Sequence, residues 1–186
     1  SPKEMISHSE EVVARNEHLR AAVGDWWLGQ RVSRGVDAVG DEGWDHTGPN
    51  VVIEMTPLPF AKRAKQYRDG ADVMTTTARR IAPSMLSPRA KTHNYLNMIM
   101  AEKPIKALNP DAWALLLDEN GNLAEGMGSN IFIVREGKLY TPSERYVLPG
   151  VSRQMTMDMA KKIGVPCIEG DIDVFRSEEH TSELQS

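Results

Sequence analysis

Three short stretches concentrate residues able to do chemistry. Lys91, within Ala90-Lys91-Thr92-His93-Asn94-Tyr95-Leu96-Asn97, follows a proline-punctuated segment and precedes an apolar run. An amine beside apolar or cationic neighbours has its pKa lowered and becomes a nucleophile and proton carrier, whereas a lysine in open solvent does neither. Glu125 lies in Leu123-Ala124-Glu125-Gly126-Met127-Gly128-Ser129-Asn130-Ile131-Phe132, where Gly126 and Gly128 let the backbone pass close to a flat ring. Its plainer alternative is an exposed turn carboxylate. Leu148-Pro149-Gly150-Val151-Ser152-Arg153 opens a helical pattern. The N–H groups of Val151 and Ser152 and the Ser152 hydroxyl suit an anion there, although an ordinary serine cap has the same pattern.

No P-loop, dinucleotide glycine fingerprint, HExxH or GxSxG elbow occurs, and the five histidines show no metal-ligand spacing. The three stretches, in this order and at these separations, resemble the class IV aminotransferases. These are the fold-type IV pyridoxal 5'-phosphate (PLP) enzymes, which include branched-chain and D-amino acid aminotransferases and aminodeoxychorismate lyase. The likeness runs over residues 1–175 and is strongest over 87–153.

The resemblance implies a role for each residue. Lys91 would hold PLP as a Schiff base and shuttle the substrate proton. Glu125 would bond to the pyridine nitrogen and keep it protonated, and Val151 and Ser152 would bind the phosphate. Tyr95 would approach the phenolic oxygen, although the lysine-to-tyrosine spacing is one residue shorter than in many branched-chain relatives, and core packing is the alternative. Arg34, in Val32-Ser33-Arg34-Gly35, is similar to a segment of the D-amino acid enzymes, but the arginine and histidine that follow it there have no counterpart here. The handedness of the substrate stays open.

The implied activity is transamination between an amino acid, branched-chain by the likeness around Lys91 and Glu125, and a 2-oxo acid, in a homodimer. A PLP lyase acting on aminodeoxychorismate and a catalytically silent fragment or interaction domain are the other readings. Family members extend further at both ends, with an early arginine and a later small-residue segment that complete the phosphate and substrate pocket. The chain is therefore expected to be an incomplete two-domain protein, inactive by itself. The last eleven residues, RSEEHTSELQS, resemble a translated sequencing adapter. Residues 176–186 are accordingly set apart as a non-native tail and left out of the expected fold.

Hydrophobic spacing predicts the elements that would position these residues. Helices are expected over 2–20, 61–69, 95–102 and 152–163, and strands over 26–34, 51–56, 71–77, 112–117, 130–134, 138–140 and 165–168. A Gly-Asp-Glu-Gly loop at 40–43 and turns at Asn120-Gly121 and Glu136-Gly137 separate them. Tyr95, Leu96, Met98, Ile99 and Met100 form a broad face expected to be buried. Strands and helices do not alternate strictly, so the class is α+β. The smaller N-terminal α/β domain is expected over 1–80, a linker over 81–88, and the larger PLP-binding domain over 89–175.

Composition narrows the partners. The net charge is −4, of which the tail supplies −2, and no broad basic face for nucleic acid is implied. No apolar run reaches the roughly 20 residues that span a bilayer. The single cysteine, Cys167, excludes an intrachain disulfide or thiolate zinc cluster and suits a reducing cytoplasm. Small-molecule substrates are the expected partners.

Overall fold

The computed structural model describes residues 1–35, 48–174 and 182–185. The expected loop at 40–43 lies outside them, as does most of the tail. The chain divides into two compact units, Ser1–Asp69 and Gly70–Ser186.

The first unit contains α1 (Pro2–Val23), β1 (Trp26–Val32), β2 (Val51–Pro57) and α2 (Phe60–Asp69). Gly24 and Gly70, both with positive φ, follow the two helices and turn the chain away. Strands β1 and β2 pair antiparallel from Trp26 opposite Pro57 to Val32 opposite Val51. Gln30 Nε2 donates to Ser9 Oγ at 2.6 Å, tying β1 to α1. Arg31 pairs with Glu54 across the ladder and lies over the ring of Trp27, whose face is 53% exposed.

The second unit carries all three motifs. Its elements are β3 (Val73–Arg79), α3 (Leu96–Leu108), β4 (Trp113–Leu117), β5 (Leu123–Gly126), β6 (Asn130–Arg135), β7 (Lys138–Pro142), α4 (Val151–Lys162), β8 (Cys167–Gly170) and β9 (Ser182–Gln185). The strands form one sheet in the order β3-β4-β5-β6-β7-β8, with β9 beside β6. Two pairs are parallel, β3 with β4 and β7 with β8, and in each the connection contains a helix, as a parallel crossover requires. The turn between β6 and β7 places Glu136 at φ 49° and Gly137 at φ 72°, the left-handed pair that a two-residue hairpin turn needs.

Strand β4 is buried on both faces, which accounts for its unbroken apolar sequence. Leu115 and Leu117 pack with Leu123, Ile131, Ile133 and Ile172, while Leu116 packs with Met98 and Ala101 of α3.

The structure departs from the expected elements in four places. Strand β3 pairs with β4, so the division between units falls at Asp69/Gly70 rather than over 81–88. Helix α3 runs on through Pro104 to Leu108, and it buries only the stripe Met98, Ala101 and Ile105, at helical spacing; Leu96, Ile99 and Met100 stay exposed. The Leu123–Gly126 segment, not expected as a strand, is fully buried β5. Residues Ser182–Gln185 of the tail form β9 against β6, because an unpaired strand edge accepts the backbone of any suitable segment.

Leu116 is fully buried beneath α3. Leu116→Ala should destabilise the chain by about 2–5 kcal/mol, measured as a lower urea midpoint with an unchanged m-value.

Candidate active site

Lys91, Tyr95, Glu125, Val151 and Ser152 all belong to the second unit. Glu125 is the centre of the arrangement. It is 5% exposed on β5, directly opposite Asn130 of β6, so it is not the exposed turn carboxylate that its glycine neighbours allowed. Its Oε1 accepts from Arg80 Nε at 2.7 Å, and its Oε2 accepts the Leu148 backbone N–H at 2.9 Å.

The cross-strand partner completes the grip. Asn130 Nδ2 donates to the Leu148 carbonyl at 2.9 Å, so the pair Glu125 and Asn130 holds both backbone groups of one residue. Two residues on, Gly150 lies so close to Asn130 that a Cβ there would sit 2.3 Å from Oδ1. Glycine is needed at that position for lack of space, since its φ of −67° suits any residue.

Arg80 is fixed with equal care. Its side chain is 11% exposed and its backbone N–H donates to Leu117 O at 2.8 Å, just past the register irregularity where β3 leaves β4. Asn97, in the first turn of α3, brackets it from both sides: Nδ2 donates to Arg79 O at 2.8 Å and Oδ1 accepts from the Ile81 N–H at 3.3 Å. The lysine motif, the glutamate motif and the Leu-Pro-Gly motif thus meet around one carboxylate.

Burial pushes the pKa of Glu125 up; the Leu148 N–H, Arg80 and the charge of Lys91 oppose this without cancelling it. Lys91 itself is exposed, on the loop that leads into α3, and near enough for its charge to act on Glu125. Each carboxylate oxygen can accept more than the one hydrogen bond it has. A protonated ring nitrogen is a donor of the kind such an oxygen accepts.

Helix α4 starts at Val151, which is 79% exposed, with Gly150 as its cap residue and no side chain capping it. Its first N–H groups have no acceptor within the helix and carry the positive end of the helix dipole, which suits a phosphate. Tyr95 is half-buried and packs on the Met98, Ala101 and Leu116 cluster, its ring centroid 6.0 Å from that of His93 in an edge-to-face arrangement. Arg34 is an exposed residue of the first unit.

Sequence reasoning missed Arg80, and quoted Asn97, Asn130 and Leu148 without assigning them work. The available signal was the Arg79-Arg80 pair placed directly after a β-prone run and before an apolar one.

Comparison with known proteins identifies the family. The family model described as amino-transferase class IV matches residues 5–180. The chain belongs to the class IV aminotransferases. A Methanocaldococcus jannaschii relative is 32% identical over 152 residues, which are 80% of this chain and 51% of that protein. The branched-chain-amino-acid aminotransferase of Escherichia coli K12 is 31% identical over 134 residues, 68% of this chain and 43% of that protein. The chain thus spans about half the length of the curated relatives it matches.

Among solved structures, the Escherichia coli branched-chain amino acid aminotransferase superposes with a TM-score of 0.84 at 22% identity, covering all of this chain and 60% of that one. The Thermobaculum terrenum enzyme, solved in its PLP form, gives 0.73 at 27% identity over 93% of this chain and 57% of that one. The α+β architecture is that of the fold-type IV PLP aminotransferases.

Because burial raises the pKa of Glu125, the folded state holds that proton more tightly than the unfolded chain does. The associated stabilisation is fully present at acid pH, below the ordinary glutamate range, and is lost as pH rises through the raised value. Glu125→Gln, neutral throughout, should flatten this decline when Tm is followed by circular dichroism from acid to neutral pH.

Proposed function

We propose that the whole protein to which this chain belongs is a PLP-dependent aminotransferase exchanging the amino group of a branched-chain amino acid with a 2-oxo acid. The observation that carries the reading is Glu125: a buried carboxylate held by Arg80 and Leu148, with the Lys91 charge acting on it. Membership of the class IV family supports it, as do the branched-chain enzymes among the relatives.

PLP, when bound, supplies a ring that withdraws electrons from the substrate Cα. The chain supplies the rest. Glu125, as an anion, would accept a hydrogen bond from the protonated ring nitrogen and so keep that nitrogen cationic. Lys91 would supply the amine that holds the cofactor and would carry the proton of the substrate Cα. In this chain that amine is exposed on the loop before α3 rather than in the apolar or cationic setting that activates a lysine.

The N–H groups of Val151 and Ser152, with the Ser152 hydroxyl, would bind the phosphate at the α4 N-terminus. The Tyr95 hydroxyl would donate to the phenolic oxygen of the ring, with Tyr95 packed against the α3 cluster. The working protein is a homodimer, and this chain alone does not turn over.

The test uses the full-length protein and variants in which each site residue is changed. Wild type should transfer nitrogen from leucine, isoleucine or valine to 2-oxoglutarate. Lys91→Ala should lose the visible cofactor absorbance and at least about 10³-fold of the rate, the scale on which removal of a nucleophile and proton carrier acts. Full activity of Lys91→Ala would refute the assignment; pyruvate release from aminodeoxychorismate without an amino acceptor would replace transamination by lyase chemistry.

A further inference from the structure

Arg80 lies outside the three motifs, yet it makes the only side-chain hydrogen bond to Glu125 among the described residues. We infer that Arg80 is a positioning residue that orients Glu125 and keeps it an anion, and that Asn97 is the splint that holds Arg80 in place. The inference rests on the assignment of Glu125 to the ring nitrogen and extends it to two residues that touch neither cofactor nor substrate.

Geometry carries it. A buried carboxylate has two independent rotations to fix; the Leu148 N–H restrains Oε2 and Arg80 restrains Oε1. Only Arg80 does so with charge. The contact is through Nε, the guanidinium nitrogen closest to the chain, so the reach of the side chain depends directly on the backbone at position 80. That backbone is held by its own N–H on Leu117 O, and by Asn97 on the carbonyl before it and the N–H after it.

Charge explains why the position matters. The charged groups acting on Glu125 are Arg80, from the end of β3, and Lys91, from the loop before α3. Lys91 ceases to be a free ammonium once its nitrogen is bonded to a cofactor, so Arg80 is the permanent cation of the two. Its loss would remove a charge that opposes the upward push of burial on this acid, and a neutral acid could not stabilise a cationic ring nitrogen. Because Asn97 lies two residues beyond Tyr95 on the same helix turn, the lysine-tyrosine segment and the acid share one mechanical anchor.

The experiment is a pH titration of the Glu125 side-chain carboxyl carbon by NMR in the 186-residue chain without cofactor, with Glu125→Gln identifying the signal. Arg80→Gln should move the titration to higher pH, Arg80→Lys should restore part of the shift, and Asn97→Ala should give a smaller shift of the same sign. An unmoved titration in Arg80→Gln overturns the inference. If Arg80→Gln does not fold, Asn97→Ala decides: an upward shift supports it and no shift overturns it. In full-length protein, Arg80→Gln should also weaken PLP binding by about ten-fold or more, the scale of a hydrogen bond to a charged group. A moved titration in a protein that never binds PLP would leave the Arg80 coupling standing and sink the cofactor reading instead.

Discussion

A carboxylate removed from water has to be compensated by its surroundings, and in this chain that requirement falls on Glu125. Its two oxygens are met by an arginine 45 residues earlier and a backbone N–H 23 residues later. Three segments distant in sequence must converge before the charge is tolerable, so the chain cannot bury this strand without also building the site. The cost of leaving a buried charge uncompensated, several kcal/mol, makes the convergence obligatory rather than incidental.

The two asparagines do parallel work. Asn130 holds the carbonyl of Leu148 while Glu125 holds its N–H, and Asn97 holds the residues on either side of Arg80. Asn97 uses both the donor and the acceptor of its amide against the backbone and Asn130 its donor, which fixes position without adding charge. The result is a fixed acid on a buried strand, with an exposed lysine on the loop before α3 near enough for its charge to act on it. The α4 N-terminus is tied to the same cluster, because Leu148 and Gly150 are packed against Asn130 only a few atoms before the helix begins.

Much of this was legible in the sequence where periodicity or glycine chemistry was strong. The buried run of β4, the Glu136-Gly137 turn and the opening of α4 follow from local pattern alone. What local pattern could not show was partnership. Nothing near Arg80 says that its charge will meet Glu125, and nothing near Asn97 says that its amide will bracket Arg80, since both contacts depend on the parallel pairing of β3 with β4. The same pairing moved the unit boundary to Asp69/Gly70. Strand β5 escaped notice because Leu123–Gly126 is too short to show alternation and ends in glycines that mimic a turn. In α3 the apolar residues outnumber those the sheet can cover, so Leu96 and Met100 face outward.

The central claim is that Lys91 and Glu125 serve one cofactor from opposite ends of its ring. Borohydride reduction of the PLP-loaded full-length protein, followed by peptide mapping, tests it most directly. The account predicts a phosphopyridoxyl group on Lys91 alone, and its loss in Glu125→Ala under the same loading conditions. Modification of a different lysine, or equal labelling of Lys91 whether or not Glu125 is present, would contradict it.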